Sequence, residues 1–127
     1  MREIKFRAWN PEEEIMHECV SAACSREKNK WITMAVMKNG FINSLDDNCV
    51  LMQFTGLYDS KKNPIYEGDI VKGTSRLDQD WTTNQKVHFL NGCFMFGNWN
   101  AHEYFNKHTE IEVVGNIYEN PEILESR

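Results

Sequence analysis

The sequence predicts an all-β protein, an antiparallel, barrel-like arrangement with little or no helix. Three observations carry that expectation. Short runs alternate apolar with polar residues or are rich in β-branched and aromatic side chains, as half-buried strands are. Asn-Gly, the pair that most readily supplies the two positive-φ positions of a tight hairpin, occurs at Asn39-Gly40 and again at Asn91-Gly92, each time between extended runs. No stretch sustains the 3.6-residue apolar period of a helix.

The elements follow in order. Residues 3–9 alternate, with Ile4, Phe6 and Ala8 expected on a core face and Glu3, Lys5 and Arg7 toward water. Asn10-Pro11 breaks the run, because proline lacks the amide hydrogen a ladder needs. Residues 15–22 form a second strand, and the polar residues 25–30 read as a loop. Residues 31–37 are strand-like and turn through Asn39-Gly40 into Phe41-Ile42. Asp46-Asp47-Asn48 is a loop before a strand over 49–55, which Gly56 is expected to end by reversing the backbone. A turn within residues 59–64 leads back through Ile65-Tyr66, and Glu67-Gly68 reverses the chain tightly into Asp69-Ile70-Val71. Residues 73–85 lack any period and read as an exposed loop. Residues 86–90 and 93–96 flank Asn91-Gly92 as the clearest hairpin. Residues 100–107 form a short helix or an irregular loop. The last strand, 110–117, points Ile111 and Val113 inward, and Asn120-Pro121 ends it. Gly115-Asn116 within it suggests a bulge or a close backbone approach.

At 127 residues the chain has the size of a single domain. Hydrophobic residues at 41% and charged residues at 26% exclude wholesale disorder. The formal charge of −5 repels phosphate backbones at long range, so it disfavours generic nucleic-acid binding. The short basic clusters, Arg26, Lys28 and Lys30, then Lys61 and Lys62, fall in expected loops. The charged N-terminus does not read as a secretory signal, and no run approaches the roughly 18 apolar residues of a membrane span. Four cysteines, Cys19, Cys24, Cys49 and Cys93, lack the density of a secreted disulfide framework, so a cytoplasmic location is expected.

Four segments carry a family resemblance. They are Arg2-Glu3-Ile4-Lys5-Phe6-Arg7-Ala8-Trp9, Gln53-Phe54-Thr55-Gly56-Leu57-Tyr58-Asp59, Ile65-Tyr66-Glu67-Gly68-Asp69-Ile70-Val71 and Val114-Gly115-Asn116-Ile117-Tyr118-Glu119-Asn120-Pro121. In this order they resemble the YopX family of phage and prophage proteins, leaving residues 21–47 and 73–85 uncovered. The chain departs from the family at Asn63-Pro64, where the turn commonly carries glycine, and at Phe54, where tyrosine is common. The resemblance implies an all-β fold of unusual topology, self-association into oligomers and no established activity. It carries over no catalytic residue.

Glu67 and Asp69, two carboxylates two apart, are the strongest acid-base or cation-binding candidates, although a glycine between two acids is also an ordinary turn. His17, Cys19 and Cys24 are the nearest thing to a metal cluster, but structural zinc wants a second ligand pair downstream, no C-x₂-C exists and the other cysteines fall inside apolar runs, so no metal is expected. His102 and His108 lack the H-E-x-x-H pattern. Cys93 and His88 flank a hairpin turn, but nothing in the sequence supplies a third, orienting group, and both read as core-facing strand residues. There is no G-x-x-x-x-G-K, no G-x-G-x-x-G after a strand and no G-x-S-x-G, so neither cofactor nor hydrolase chemistry is expected. Trp9, Tyr58, Tyr66, Phe94 and Trp99 could stack nucleic-acid bases, but such aromatics more often form a core. The expectation is a non-enzymatic interaction module that forms homo-oligomers. A nucleic-acid-binding barrel of phage replication or regulation is the alternative.

Overall fold

Asn10 both ends the first strand and builds the turn after it. Its Oδ1 accepts from the amides of Glu12 (3.0 Å) and Glu13 (3.3 Å), and its Nδ2 donates to the Glu13 carboxylate at 2.7 Å. This local closure joins β1 (Phe6–Asn10) to β2 (Ile15–Glu27) as an antiparallel hairpin, with Ala8 opposite His17. The computed structural model describes residues 3–27, 30–37, 42–45 and 49–125. Within them the chain forms two compact units, Met1–Phe54 and Thr55–Arg127.

In the first unit β3 (Lys30–Met37) and β4 (Ile42–Leu45) extend the sheet beyond β2. The start of β5 (Val50–Tyr58) pairs with the other side of β1, Phe6 facing Gln53. Every pairing is antiparallel. Ala8 and Cys19 form a small core, packed by Phe6, Ala22 and Leu51.

β5 runs on into the second unit and lies beside β6 (Pro64–Tyr66). Then come β7 (Asp69–Ser75), β8 (Thr82–Leu90), β9 (Cys93–Phe96), β10 (Trp99–Asn100), α1 (Ala101–Lys107), β11 (His108–Asn116) and the short α2 (Glu122–Glu125). Strand order is β10-β9-β8-β7-β11, so the last strand returns to the middle of the sequence. The sheets are mostly antiparallel and one curls into a half-barrel, as the sequence leads one to expect. Ile65, Val71, Val87, Phe96, Tyr104 and Ile111 form the core. Tyr104 stacks on Phe96 at 5.0 Å and on His108 at 4.2 Å between ring centroids. Asn100 caps α1 by accepting the Glu103 amide at 2.8 Å, which makes residues 101–107 the helix of the two options left open.

Asn91 (φ +51°) and Gly92 (φ +82°) form the expected hairpin turn, with Leu90 paired to Cys93. Gly68 (φ +85°) makes the tight reversal into β7, whose Ile70 and Val71 are fully buried. The register slips between Val113 and Gly115, and a Cβ on Gly115 would meet the Asn120 side chain at 2.7 Å, so bulge and close approach coincide there.

Other expectations are corrected. Ile4 precedes β1 and is 63% exposed instead of facing a core. Residues 25–27 and Lys30 belong to strands, with Glu27 opposite Lys30, because a ladder uses backbone groups and tolerates polar side chains. Arg26 is therefore in a strand, not a loop. β5 does not end at Thr55; Gly56 (φ +88°) bends it without reversing it, and it continues to Tyr58. The expected loop over 73–85 is largely a hairpin, with Gly73 opposite Thr83 and Thr74 opposite Thr82. Gly73 sits directly against the Tyr104 hydroxyl, leaving no room for a side chain, so its missing β-carbon is a packing requirement. Cys93 is exposed and His88 half-buried, so Cys93 is not a core residue. The Asn39-Gly40 turn lies outside the described residues.

Candidate functional site

The corner from β5 to β6 is organised by a carboxylate that no sequence motif singles out. Asp59 is buried, and its Oδ1 accepts the amides of Lys61 (2.9 Å) and Asn63 (2.8 Å). Its Oδ2 accepts the Val113 amide at 2.9 Å and Asn63 Nδ2 at 3.3 Å. Desolvation pushes the carboxyl upward in pKa, but these donors, Val113 and Asn63 foremost, outweigh it and hold Asp59 below the ordinary aspartate range. The residue thus staples the turn to β11. Its acceptor sites are taken by three backbone amides and the Asn63 side chain, which makes it a structural group.

Asp69 behaves similarly. It is buried at the start of β7, and its Oδ2 accepts the Tyr66 amide at 2.8 Å. Glu67 is half-buried in the turn before Gly68. The two acids the sequence groups together therefore occupy different environments, one folded back onto the chain and one in the turn. Beside them Gly68 donates to Val87 O and accepts from the Ile117 amide, both at 2.8 Å, clipping β8 and the end of β11 to the same corner. Tyr66 is half-buried next to this corner, and Tyr58 is 41% exposed at the end of β5. Trp9 is buried in the first unit.

Among the described side chains the thiols and imidazoles stay dispersed. Cys19 is buried, which raises its pKa by desolvation, and its Sγ lies 4.0 Å from His17 O. Cys24 pairs with Thr33 in the β2–β3 ladder. Cys93 Sγ donates to Leu90 O at 3.4 Å, while His88 stands opposite Met95, so the two do not form a couple. His108 is buried with Nδ1 2.9 Å from Tyr104 O, and His102 Nε2 lies 3.2 Å from Asn106 Nδ2. Among the described residues no group of three His, Cys, Asp or Glu side chains is placed to hold a metal ion.

Among the described residues the second unit has several open surfaces. The first is the tip of the β8–β9 hairpin. Val87 and Phe96 are paired and fully buried, and two residues outward on the same face Phe89 and Phe94 pair at 5.1 Å between centroids. Phe89 is 53% exposed, so the apolar core face runs past the edge of the core into solvent, while Leu90, 49% exposed, points to the other face of the strand. The second is a groove of about 720 Å³ beside the start of β8, lined by Lys72, Asp80, Trp81, residues 82–85 and Leu124. A smaller apolar hollow of about 380 Å³ lies between Leu57, Ala101 and Phe105. Sequence reasoning placed the groove in a featureless loop. The β-branched Thr82-Thr83 next to Trp81 was the signal for a strand there.

These features define a small, mostly antiparallel β protein whose buried acids serve its turns and whose open surfaces are apolar or polar grooves. The chain belongs to the YopX protein family, whose model matches residues 5–125. Its fold is shared with protein EF1440 from Enterococcus faecalis, at a TM-score of 0.67 and 23% identity, covering 98% of this chain and 99% of that one. Protein yopX from Bacillus subtilis is similar at a TM-score of 0.60 and 24% identity, with the same coverage of 98% and 99%. No curated protein matches the chain. No helix among the described residues is long and apolar enough to cross a membrane.

Proposed function

We propose that the chain is a non-enzymatic interaction module of a phage or prophage, working in the bacterial cytoplasm, and that it self-associates through the β8–β9 hairpin tip. The observation that carries this reading is the continuation of the core face, from buried Val87 and Phe96 to solvent-exposed Phe89 beside half-buried Phe94. A half-exposed phenylalanine gains about 1 kcal/mol when covered, so a symmetric contact that covers several such side chains supports weak to moderate association. The tip itself, Asn91-Gly92, is uncharged, so two copies meet there without like-charge repulsion.

Light scattering on the wild type and on Phe89→Ser tests this. The wild type should have a mass above the monomer at micromolar concentration, and the variant should shift toward the monomer while keeping its circular dichroism. A wild type that stays monomeric refutes self-association. Titration with single-stranded DNA at low salt separates the reading from the nucleic-acid barrel; steeply salt-dependent binding would favour the latter.

A further inference from the structure

The β8–β9 hairpin carries soft donor atoms on the face that its phenylalanines do not use. Side chains alternate along a strand and directly opposed residues share a face. His88, Leu90, Cys93 and Met95 therefore lie together, on the face away from Phe89 and Phe94. Cys93 Sγ is 3.6 Å from Met95 Sδ, and His88 is the residue directly opposite Met95. The thioether thus links thiol and imidazole, which do not meet each other as a couple. The imidazole is held by its other nitrogen: His88 Nδ1 lies 3.4 Å from Lys86 O. A carbonyl only accepts, so this contact places the proton on Nδ1 and the lone pair on Nε2. A ring nitrogen donating to a backbone carbonyl is the usual way a metal-binding histidine is oriented.

We propose that His88, Cys93 and Met95 form a binding site for a soft monovalent cation, Cu(I). The donor set selects the ion. Thiolate and thioether sulfurs are soft ligands that favour Cu(I), and imidazole suits copper as well. Structural zinc takes four ligands from thiolate, imidazole and carboxylate, and a neutral thioether is not among them. Two sulfurs 3.6 Å apart, each roughly 2.3 Å from an ion, subtend an angle of about 100° there, close to that of a three- or four-coordinate centre. The two sulfurs therefore need little movement to chelate. Cys93 is exposed and His88 and Met95 are half-buried, so the ion has access from solvent, while Leu90 opposite Cys93 gives the site an apolar flank. Cys93 ligates as the thiolate, its proton passes to the buffer, and copper stays Cu(I) throughout. The site lies on the face opposite the Phe89–Phe94 pair, so it does not depend on self-association.

The test titrates the full chain with Cu(I) under exclusion of air, in competition with the chromophoric chelator bicinchoninate. Cys93→Ser should bind one copper ion fewer than the wild type. The other cysteines are common to both proteins, so the difference isolates this site. Met95→Leu, which conserves volume, and His88→Gln should each keep the fold by circular dichroism and weaken that ion at least about tenfold. Zn(II) in excess should not displace it. X-ray absorption of the wild type, loaded with less than one equivalent of Cu(I), needs no variant and should show both sulfur and imidazole nitrogen around the metal. An unchanged copper count in Cys93→Ser, or unchanged affinity in either Met95→Leu or His88→Gln, overturns the proposal. So does displacement by Zn(II), or a copper centre ligated by sulfur alone, since the cysteines would then be acting without this face of the hairpin.

Discussion

Replacing Asp59 by Asn removes one oxygen from a carboxylate that accepts four hydrogen bonds from Lys61, Asn63 and Val113. The new amide group must face donors whichever way it turns. With its oxygen toward Lys61 and Asn63 it presents N–H to the Val113 amide; flipped, it abandons the turn. Hydrogen bonds to a charged group contribute about 1.5–3 kcal/mol each. Lys61 and Asn63 are exposed and can be rehydrated, while Val113 sits half-buried in β11, so its bond dominates the loss. A destabilisation of about 3 kcal/mol follows, equivalent to a fall in Tm of about 10 °C for a chain of this size. Urea unfolding monitored by circular dichroism measures it. The effect also depends on pH. The folded Asp59 titrates below its unfolded value, so its stabilisation is fully present above about pH 4 and is lost as pH falls through the lower folded value. The gap between wild type and Asp59→Asn should therefore narrow on acidification. A variant as stable as wild type at pH 7, or a gap that widens in acid, would refute the assignment of Asp59 as a charged staple.

Tyr104 supplies the next expectation: its hydroxyl is buried with no hydrogen-bond partner among the described residues, and burial pushes its pKa up to about 12. Tyr104→Phe should accordingly be neutral or stabilising by up to about 1 kcal/mol in thermal melts. Gly73→Ala should cost about 2–3 kcal/mol, because its Cβ meets that same hydroxyl, and combining it with Tyr104→Phe should recover part of the loss in a double-mutant cycle. Asn100→Ala should destabilise by about 1 kcal/mol in urea unfolding through loss of the α1 cap.

The strands and turns that depend on local chemistry were legible from sequence. Asn91-Gly92, Glu67-Gly68 and Gly115 act as their residue types imply, since positive φ and close backbone approach are demands on single positions. What stayed hidden depends on distant partners. Gly73 and Thr74 look like loop until Tyr104 and β8 are placed against them, and Thr82 and Thr83 until β7 is. The extension of β2 through polar residues shows itself only once β3 lies alongside. The site was the least legible part. Glu67 and Asp69 drew attention by spacing, whereas Asp59 owes its role to the Val113 amide, 54 residues away along the chain. Exposure of Phe89 cannot be read from a hairpin pattern, because the alternation is the same whether the core stops at Val87 or continues.

The placement of β11 against β7 has a bearing on synthesis. Asp69 pairs with Asn116, and Ile111 belongs to the same core as Val71. While translation is under way, β7 therefore emerges with one flank vacant and waits through the whole β8–β9–β10 excursion for its second neighbour. A ribosome that stalls before His108 would leave a nascent chain displaying an unzipped strand bordered by Ile70 and Val71, the kind of product that chaperones must shield.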